Sequence, residues 1–148
     1  MNESFDPAAM VRQQQFLNRG KVAGMAWPQN ASGWQSLSAA EWNAGAEALA
    51  SVKGDTALVL GVQTEGFNVA NSQAYAKKAK SLNADGIISL VPPNASDADR
   101  IAYFKALADA SNLPIMVQAV GDVSVDQLVA LAAAIVSADP SSKASLMA

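Results

Sequence analysis

One loop of the sequence carries polar side chains at a place where parallel α/β proteins do their chemistry. Thr64 and Glu65 follow the predicted strand 57–62, and the carboxyl ends of parallel strands form the catalytic face of both barrels and open sheets. A hydroxyl and a carboxylate at this edge could hold a polar substrate. The alternative, which we favour, is a plain connecting loop in which Asn68 caps the following helix.

Two acidic residues and two tryptophans are further candidates. Asp97 and Asp99 could belong to a metal site, but two carboxylates without a third ligand more often complement the dipole at a helix N-terminus. Trp27 and Trp34 bracket the loop after the first predicted strand. They could form the wall of a pocket or an apolar patch that meets another chain, and the sequence leaves both possibilities open.

The residue types that most often catalyse reactions at neutral pH are missing or badly placed. The chain has no histidine and no cysteine, which excludes Ser–His–Asp chemistry, thiolate zinc sites and disulfides. No glycine-rich phosphate loop follows a predicted strand, and no cofactor is expected. The lysines fall in loops, on helices or before a strand, and we expect solvated surface positions for all of them: Lys21, Lys53, Lys77, Lys78, Lys80, Lys105 and Lys143.

The composition predicts one soluble domain. Of 148 residues, 51% are hydrophobic and 16% are charged, so the chain can fill a core. The net charge is −3 and the ten Lys and Arg residues are scattered, so we expect no nucleic-acid partner. The first six residues do not resemble a signal peptide, and no apolar stretch approaches the roughly 20 residues that span a bilayer. We therefore expect a cytoplasmic protein with no membrane partner.

Strand–helix units repeat along the chain. Short apolar runs that read as buried parallel strands begin near residues 22, 57, 86 and 114, a spacing of about 30 residues that suits one strand–helix unit. Capping residues mark the starts of the helices: Asp6, Ser38, Asn68, Ser96 and Ser124. The pattern predicts a domain over 1–137, followed by a flexible Ser- and Ala-rich tail over 138–148.

Two α/β architectures fit these units. One is a small open parallel sheet covered by helices on both faces. The other is a partial TIM (β/α)8 barrel with about four consecutive parallel units. We favour the partial barrel, because the chain opens and ends on a helix, as a slice of a barrel would.

The segment from Thr56 to Leu131 resembles the central part of the dihydrodipicolinate synthase and N-acetylneuraminate lyase family, the class I Schiff-base aldolases. The run AYAKKAKSLNADG at 74–86 is similar to the family's passage into its fourth strand. The runs YFKALADA at 103–110 and LPIM at 113–116 resemble its next helix and fifth strand. LSAAEW at 37–42 resembles its capping box. These motifs are mostly structural, and they imply a barrel fold.

The functional motifs of that family are altered in this chain. Its threonine or serine pair for the substrate carboxylate corresponds to the region of Asn30 and Ser32, whose side chains and neighbouring amides could still bind an anion. Its proton-shuttling tyrosine is absent from the run VPPN that ends at Asn94. Gln118 begins the run that replaces the motif after the fifth strand. The resemblance places the Schiff-base lysine on a sixth strand, and we expect the chain to stop before it.

The resemblance implies a lyase whose full-length members act on pyruvate or related keto acids and sugar acids. We interpret the chain as a truncated or divergent member that is inactive alone, with no catalytic residue of its own and no metal. The candidate substrate-binding residues are Asn30, Ser32, Thr64, Glu65, Asn94 and Gln118. The alternative is a non-catalytic binding or assembly module that associates with itself through open sheet edges.

Overall fold

The fold is a run of strand–helix units. The computed structural model describes residues 5–121, 123–138 and 144–147, with the backbone alone for 136–138 and 144–147. The helices are α1 Pro7–Arg19, α2 Ala39–Ser51, α3 Val69–Ser81, α4 Asp97–Ser111 and α5 Val125–Ala138. The strands are β1 Gly24–Trp27, β2 Ala57–Gly61, β3 Gly86–Leu90, β4 Ile115–Gln118 and β5 Ala144–Met147. None of the described helices is long and apolar enough to cross a membrane.

The five strands are parallel and lie in sequence order, β1-β2-β3-β4-β5. Because parallel crossovers are right-handed, a sheet whose strands never reverse order receives all its helices on one face. Such a sheet curves towards closure as a barrel, whereas a doubly wound sheet contains a switch point. The strand order therefore confirms the predicted partial barrel.

The helix-facing side of the sheet holds the main core. Leu58, Leu60 and Val62 alternate along β2 and its extension, and they pack in one cluster with residues such as Phe104 of α4. The opposite side carries smaller residues near β1 and β2, among them Ala26, which is only half-buried. The described helices thus cover one face of the sheet, and none of them lies on the other face.

Strand β5 differs from the sequence-based expectation. The expected tail contains the four residues Ala144–Met147, which pair in parallel register with β4. By the count of the resemblance this strand takes the sixth position, so the expectation that the chain stops before a sixth strand is wrong. The run Ala-Ser-Leu-Met has no alternating pattern that would mark a strand, and tertiary pairing overrides such weak propensity. The division of the chain at residue 137 stays a prediction, and 139–143 and 148 lie outside the described residues.

The helix starts follow their capping residues. Ser38 and Glu41 form the predicted capping box, with Glu41 N–H donating to Ser38 Oγ at 3.3 Å and Ser38 N–H donating to Glu41 Oε2 at 2.8 Å. Asn68 accepts from the backbone N–H of Asn71 at 3.0 Å. Ser96 caps α4 in the same way. These caps fix where each helix leaves the carboxyl end of the sheet.

The amino end of the sheet is held by charged and amide side chains. Lys53 Nζ donates to Asp85 Oδ2 at 2.8 Å, and the same oxygen accepts from the backbone N–H of Leu58 at 2.8 Å. From α1, the amide nitrogens of Gln14 and Asn18 donate to the carbonyls at the end of α2. The loops at this end are therefore tied to one another.

Candidate functional site

All six predicted site residues lie at the carboxyl end of the sheet. Asn30 and Ser32 are exposed in a 3₁₀ turn after β1, and Asn94 is exposed after β3 with a left-handed φ of 57°. Gln118 ends β4 and is half-buried. Thr64 and Glu65 follow β2, as the sequence predicts.

Thr64 and Glu65 line a cavity of about 410 Å³ between the loops that follow β1 and β2. Helices α2 and α3 form its sides through Trp42 and Tyr75, among others. Asn30, Ser32, Asn94 and Gln118 do not line it. The structure therefore brings together two of the six predicted residues in this cavity and leaves the other four outside it.

Aromatic rings build the wall of the cavity. Trp42 and Tyr75 stack with their centroids 4.0 Å apart, and Trp42 Nε1 donates to the Gly61 carbonyl at 2.8 Å. This bond ties α2 to the end of β2 and fixes the ring. Trp34 also lines the cavity, whereas Trp27 is buried in the core. The sequence left open whether the tryptophans form a pocket wall or an apolar patch, and Trp34 lies in the wall of the cavity.

Gln63 is the residue of this site that sequence reasoning overlooks. It lies between Val62 and Thr64, it is only 4% exposed, and neither amide atom of its side chain has a hydrogen-bond partner. The indole N–H of Trp34 is also buried without a partner. Buried polar groups are nearly always hydrogen-bonded, so such groups beside a cavity mark a place where bonds remain to be made. A polar residue directly after a buried strand was the available signal.

A chain of hydroxyl groups leads from the cavity into the core. Thr64 Oγ1 lies 3.1 Å from Ser72 Oγ, and Tyr103 Oη donates to Ser72 Oγ at 3.2 Å. Tyr103 Oη also lies 3.0 Å from Ser89 Oγ of β3. Burial raises the pKa of Tyr103, and the bonds to Ser72 and Ser89 only partly oppose the effect. The phenol therefore stays neutral near pH 7 and orients Thr64 through Ser72.

The loop that carries Thr64 and Glu65 has a strained backbone. Gly66 and Phe67 both adopt left-handed conformations, with φ of 63° and 51°. A bulky residue rarely takes this conformation, and such outliers cluster at binding sites. Phe67 lies edge-on to Trp34 and to Tyr103, with centroids 6.2 and 5.9 Å away. The ring therefore wedges between the first loop and the core.

A second polar arrangement spans the concave side of the sheet. Gln118 Nε2 donates to Gln29 Oε1 at 3.2 Å, and Gln118 Oε1 is buried without a partner. In a flat sheet, three interstrand spacings of about 4.8 Å would separate β1 from β4 by about 14 Å, and the side chains on one face would point in the same direction. A bond between the two glutamines therefore fits a sheet that curves as a barrel does.

The charges of the cavity decide which ligands suit it. Glu65 is the one charged residue among the described residues that line it, and a lone carboxylate repels anions. None of the described lysines lines the cavity. Lys53 and Lys78 form ion pairs with Asp85 and Glu47. The cavity suits a neutral or cationic polar group better than a carboxylate.

The described residues hold no cluster of side chains that could bind a metal ion. Asp97 and Asp99 lie in the first turn of α4, where Asp99 bonds its capping residue Ser96 and Asp97 pairs with Arg100. The dipole-complementing role favoured for these two carboxylates agrees with this placement.

The chain matches no family model and no curated protein, but it matches solved structures. N-acetylneuraminate lyase from Mycoplasma synoviae superimposes with a TM-score of 0.78 at 20% identity, over 95% of this chain and 56% of that chain. The 4-hydroxy-tetrahydrodipicolinate synthase of Methylacidiphilum fumariolicum SolV gives 0.80 at 18% identity, over 95% and 48%. A variant of Sulfolobus solfataricus 2-keto-3-deoxygluconate aldolase in complex with pyruvate gives 0.74 at 18% identity, over 93% and 53%.

These likenesses define the class of fold. The chain is a consecutive part of the barrel that these lyases and aldolases share, and it spans about half the length of each of them. Identities at this level establish the fold alone. The particular activity of the chain is therefore a matter of proposal.

Proposed function

We propose that the chain is a truncated or divergent member of the Schiff-base lyase family and supplies substrate-binding loops without catalysing the reaction alone. The observation that carries this proposal is the singly wound strand order, which the chain shares with lyases and aldolases over nearly its whole length. The sequence motifs at 74–86 and 103–116 point to the same family. The ligand would be a keto acid or sugar acid, as in the relatives.

In this proposal, different residues would bind different parts of the substrate. Asn30 and Ser32 would bind the carboxylate through their exposed side chains, because Glu65 makes the neighbouring cavity unfavourable for an anion. Thr64, oriented by the hydroxyl chain, would hold a neutral part of the substrate. Asn94 and Gln118 would border the concave end of the sheet.

Catalysis is not expected from this chain alone. A Schiff base needs an amine that burial has deprotonated at a strand end, and the described lysines lie on helices or near the amino end of the sheet. The strand Ala144–Met147, which takes the sixth position, contains no lysine. Tyr103, whose buried phenol is bonded to Ser72 and Ser89 behind the cavity, is neutral near pH 7 because burial raises its pKa.

Borohydride trapping tests this role. The full chain is incubated with pyruvate, reduced, and weighed by mass spectrometry, with a full-length aldolase as the positive control. We expect no adduct. A stoichiometric adduct on any lysine would overturn the claim of inactivity, and amide shifts of Asn30 and Ser32 on titration with pyruvate would support the binding role.

A second candidate function is an assembly module that associates with itself. One specific observation favours it: among the described strands, β1 and β5 lie at the two edges of the sheet. Unpaired edges take up partner strands. Sedimentation at micromolar concentration tests this function, and a clean monomer with a cooperative melt would count against it.

A further inference from the structure

Three buried polar atoms belong to residues that line the cavity between α2 and α3, and they have no hydrogen-bond partner among the described residues. They are Nε2 and Oε1 of Gln63 and the indole Nε1 of Trp34. Buried polar groups are nearly always hydrogen-bonded, and an unpaired one costs stability. A ligand that supplies the missing bonds would therefore bind here with a specific set of contacts.

The backbone on both sides of Gln63 is held in place. The N–H of Val62 donates to the Ile88 carbonyl of β3 at 3.0 Å. On the other side, Thr64 Oγ1 lies 3.1 Å from the buried Ser72 Oγ of α3. Because both neighbours are bonded to other elements, the loop has little freedom to carry the Gln63 amide to a partner elsewhere. A side chain positioned in this way loses little freedom when a ligand binds.

The three atoms differ in what they require. Gln63 Nε2 and Trp34 Nε1 are donors that each need an acceptor, whereas Gln63 Oε1 is an acceptor that needs a donor. Exchanging the oxygen and the nitrogen of the amide leaves this requirement unchanged, because neither atom has a partner. A complementary ligand therefore carries both acceptors and donors.

Simple ions meet only part of this requirement. An ammonium group has donors and no acceptor, so it would satisfy Gln63 Oε1 and leave both N–H groups unpaired. A carboxylate has acceptors alone, and the Glu65 carboxylate in the lining of the cavity would repel it. A neutral amide offers a carbonyl and an N–H side by side. The primary amide of a glutamine pairs with such an edge through two parallel hydrogen bonds, as it does with adenine.

The walls of the cavity favour a flat ligand. The rings of Trp42 and Tyr75 stack with their planes only 4° apart, and Trp34 adds a third ring to the lining. Aromatic rings pack well against other planar rings in offset or edge-on arrangements. The volume of about 410 Å³ lies within the range of about 300–1,000 Å³ that is usual for small-molecule sites. A planar ring therefore suits the cavity in both size and shape.

We propose that this cavity binds a neutral planar ring that carries an amide-type edge, with a carbonyl next to an N–H group. The carbonyl accepts from Gln63 Nε2, the N–H donates to Gln63 Oε1, and a further acceptor of the ligand meets Trp34 Nε1. The edge is either a carboxamide attached to the ring or a lactam within it, as in a nucleobase. This inference goes beyond the proposed lyase role, because the ligand is not a keto acid and binds through Gln63 and Trp34 rather than Thr64.

NMR titration of the full chain at pH 7 with three pyridines of similar size tests the ligand class. Nicotinamide carries a carboxamide, nicotinate a carboxylate, and 3-(aminomethyl)pyridine an ammonium group. We expect nicotinamide to bind with a dissociation constant of about 1 mM or lower and to shift the side-chain amide signals of Gln63. The two ions should bind at least about tenfold more weakly. Uracil, titrated separately, tests whether a lactam within the ring serves as well as a carboxamide.

Substituting the two buried glutamines supplies a matched control. Gln63→Leu removes both bonds to the amide edge and should weaken binding of the neutral probe at least about tenfold. Gln14→Leu is the same change at the other end of the sheet and should leave binding unchanged. Trp34→Phe keeps an aromatic ring but removes the N–H, and we expect binding to weaken about fivefold. Circular dichroism melts verify that the variants fold.

Several results would overturn the proposal. It fails if neither nicotinamide nor uracil binds, or if nicotinate or 3-(aminomethyl)pyridine binds as tightly as nicotinamide. It also fails if Gln63→Leu binds the neutral probe as the unmodified chain does, or if Gln14→Leu weakens binding equally. If Gln63→Leu did not fold, Trp34→Phe and the comparison of the pyridines would decide the question. Because the titrations contain no keto acid, these failures leave the proposed lyase role untouched.

Discussion

The two ends of the sheet differ in how far their polar side chains are hydrogen-bonded. At the amino end, the Asp85 carboxylate bonds both Lys53 Nζ and the Leu58 N–H, and Gln14 and Asn18 cap carbonyls of the neighbouring loop. At the carboxyl end, Gln63 is buried with both amide atoms unpartnered, and the Trp34 indole N–H and Gln118 Oε1 are in the same state. Among the described residues of the amino end, one atom is in this state, Gln14 Oε1.

The difference separates a surface that stabilises the fold from one that is available for binding. Parallel barrels place stability at the amino end and ligands at the carboxyl end. A hydrogen bond made within the protein contributes to folding, whereas a donor left unpaired costs stability until a ligand meets it. The strained backbone of Phe67 lies at the same carboxyl end, as expected if stability is lost there for the sake of a site.

Removing the Asp85 carboxylate should have the largest effect. Asp85→Ala leaves the buried Leu58 N–H without its acceptor and Lys53 without its ion pair, and we expect a loss of about 2 kcal/mol in the free energy of unfolding. Urea denaturation measures this loss. The control is Glu47→Ala, which removes an exposed ion pair to Lys78 and should cost less than about 0.5 kcal/mol. Equal losses in the two variants would mean that the amino end is not specially stabilised.

The sequence predicted the units of this fold better than it predicted the site. Caps such as Ser38 with Glu41 act within one turn, so local pattern is enough to find them. Strand β5 was missed because its pairing with β4 depends on distant residues. Thr64 and Glu65 were placed correctly beside a strand end. The isolation of the Gln63 amide depends on the packing of several loops, and no local pattern encodes it.

Acid should weaken the amino end of the sheet through Asp85. Burial alone would raise the pKa of Asp85, but the bonds from Lys53 and the Leu58 N–H, with the charge of Lys53, hold it below its ordinary value of 3.8. A pKa lowered by folding stabilises the protein above the unfolded pKa, and this stability is lost as pH falls through the folded pKa. The advantage of the unmodified chain over Asp85→Asn in urea should therefore be full at pH 7 and shrink below pH 3.8. An advantage that does not change with pH would contradict the assignment.

The same substitution at both ends gives the smallest and most direct comparison. Gln14→Leu removes the donor that bonds Asn18 and the Lys53 carbonyl, and we expect a loss of about 1 kcal/mol. Gln63→Leu removes an amide that has no partner and keeps a side chain of similar size. Replacing unsatisfied polar atoms by apolar ones is near neutral or stabilising, so we expect a change between zero and a gain of about 1 kcal/mol. Both glutamines are buried, so burial does not distinguish them. If Gln63→Leu lost as much stability as Gln14→Leu in urea, the Gln63 amide would already be satisfied within the folded chain, and the carboxyl end would have no bonds left to offer a ligand there.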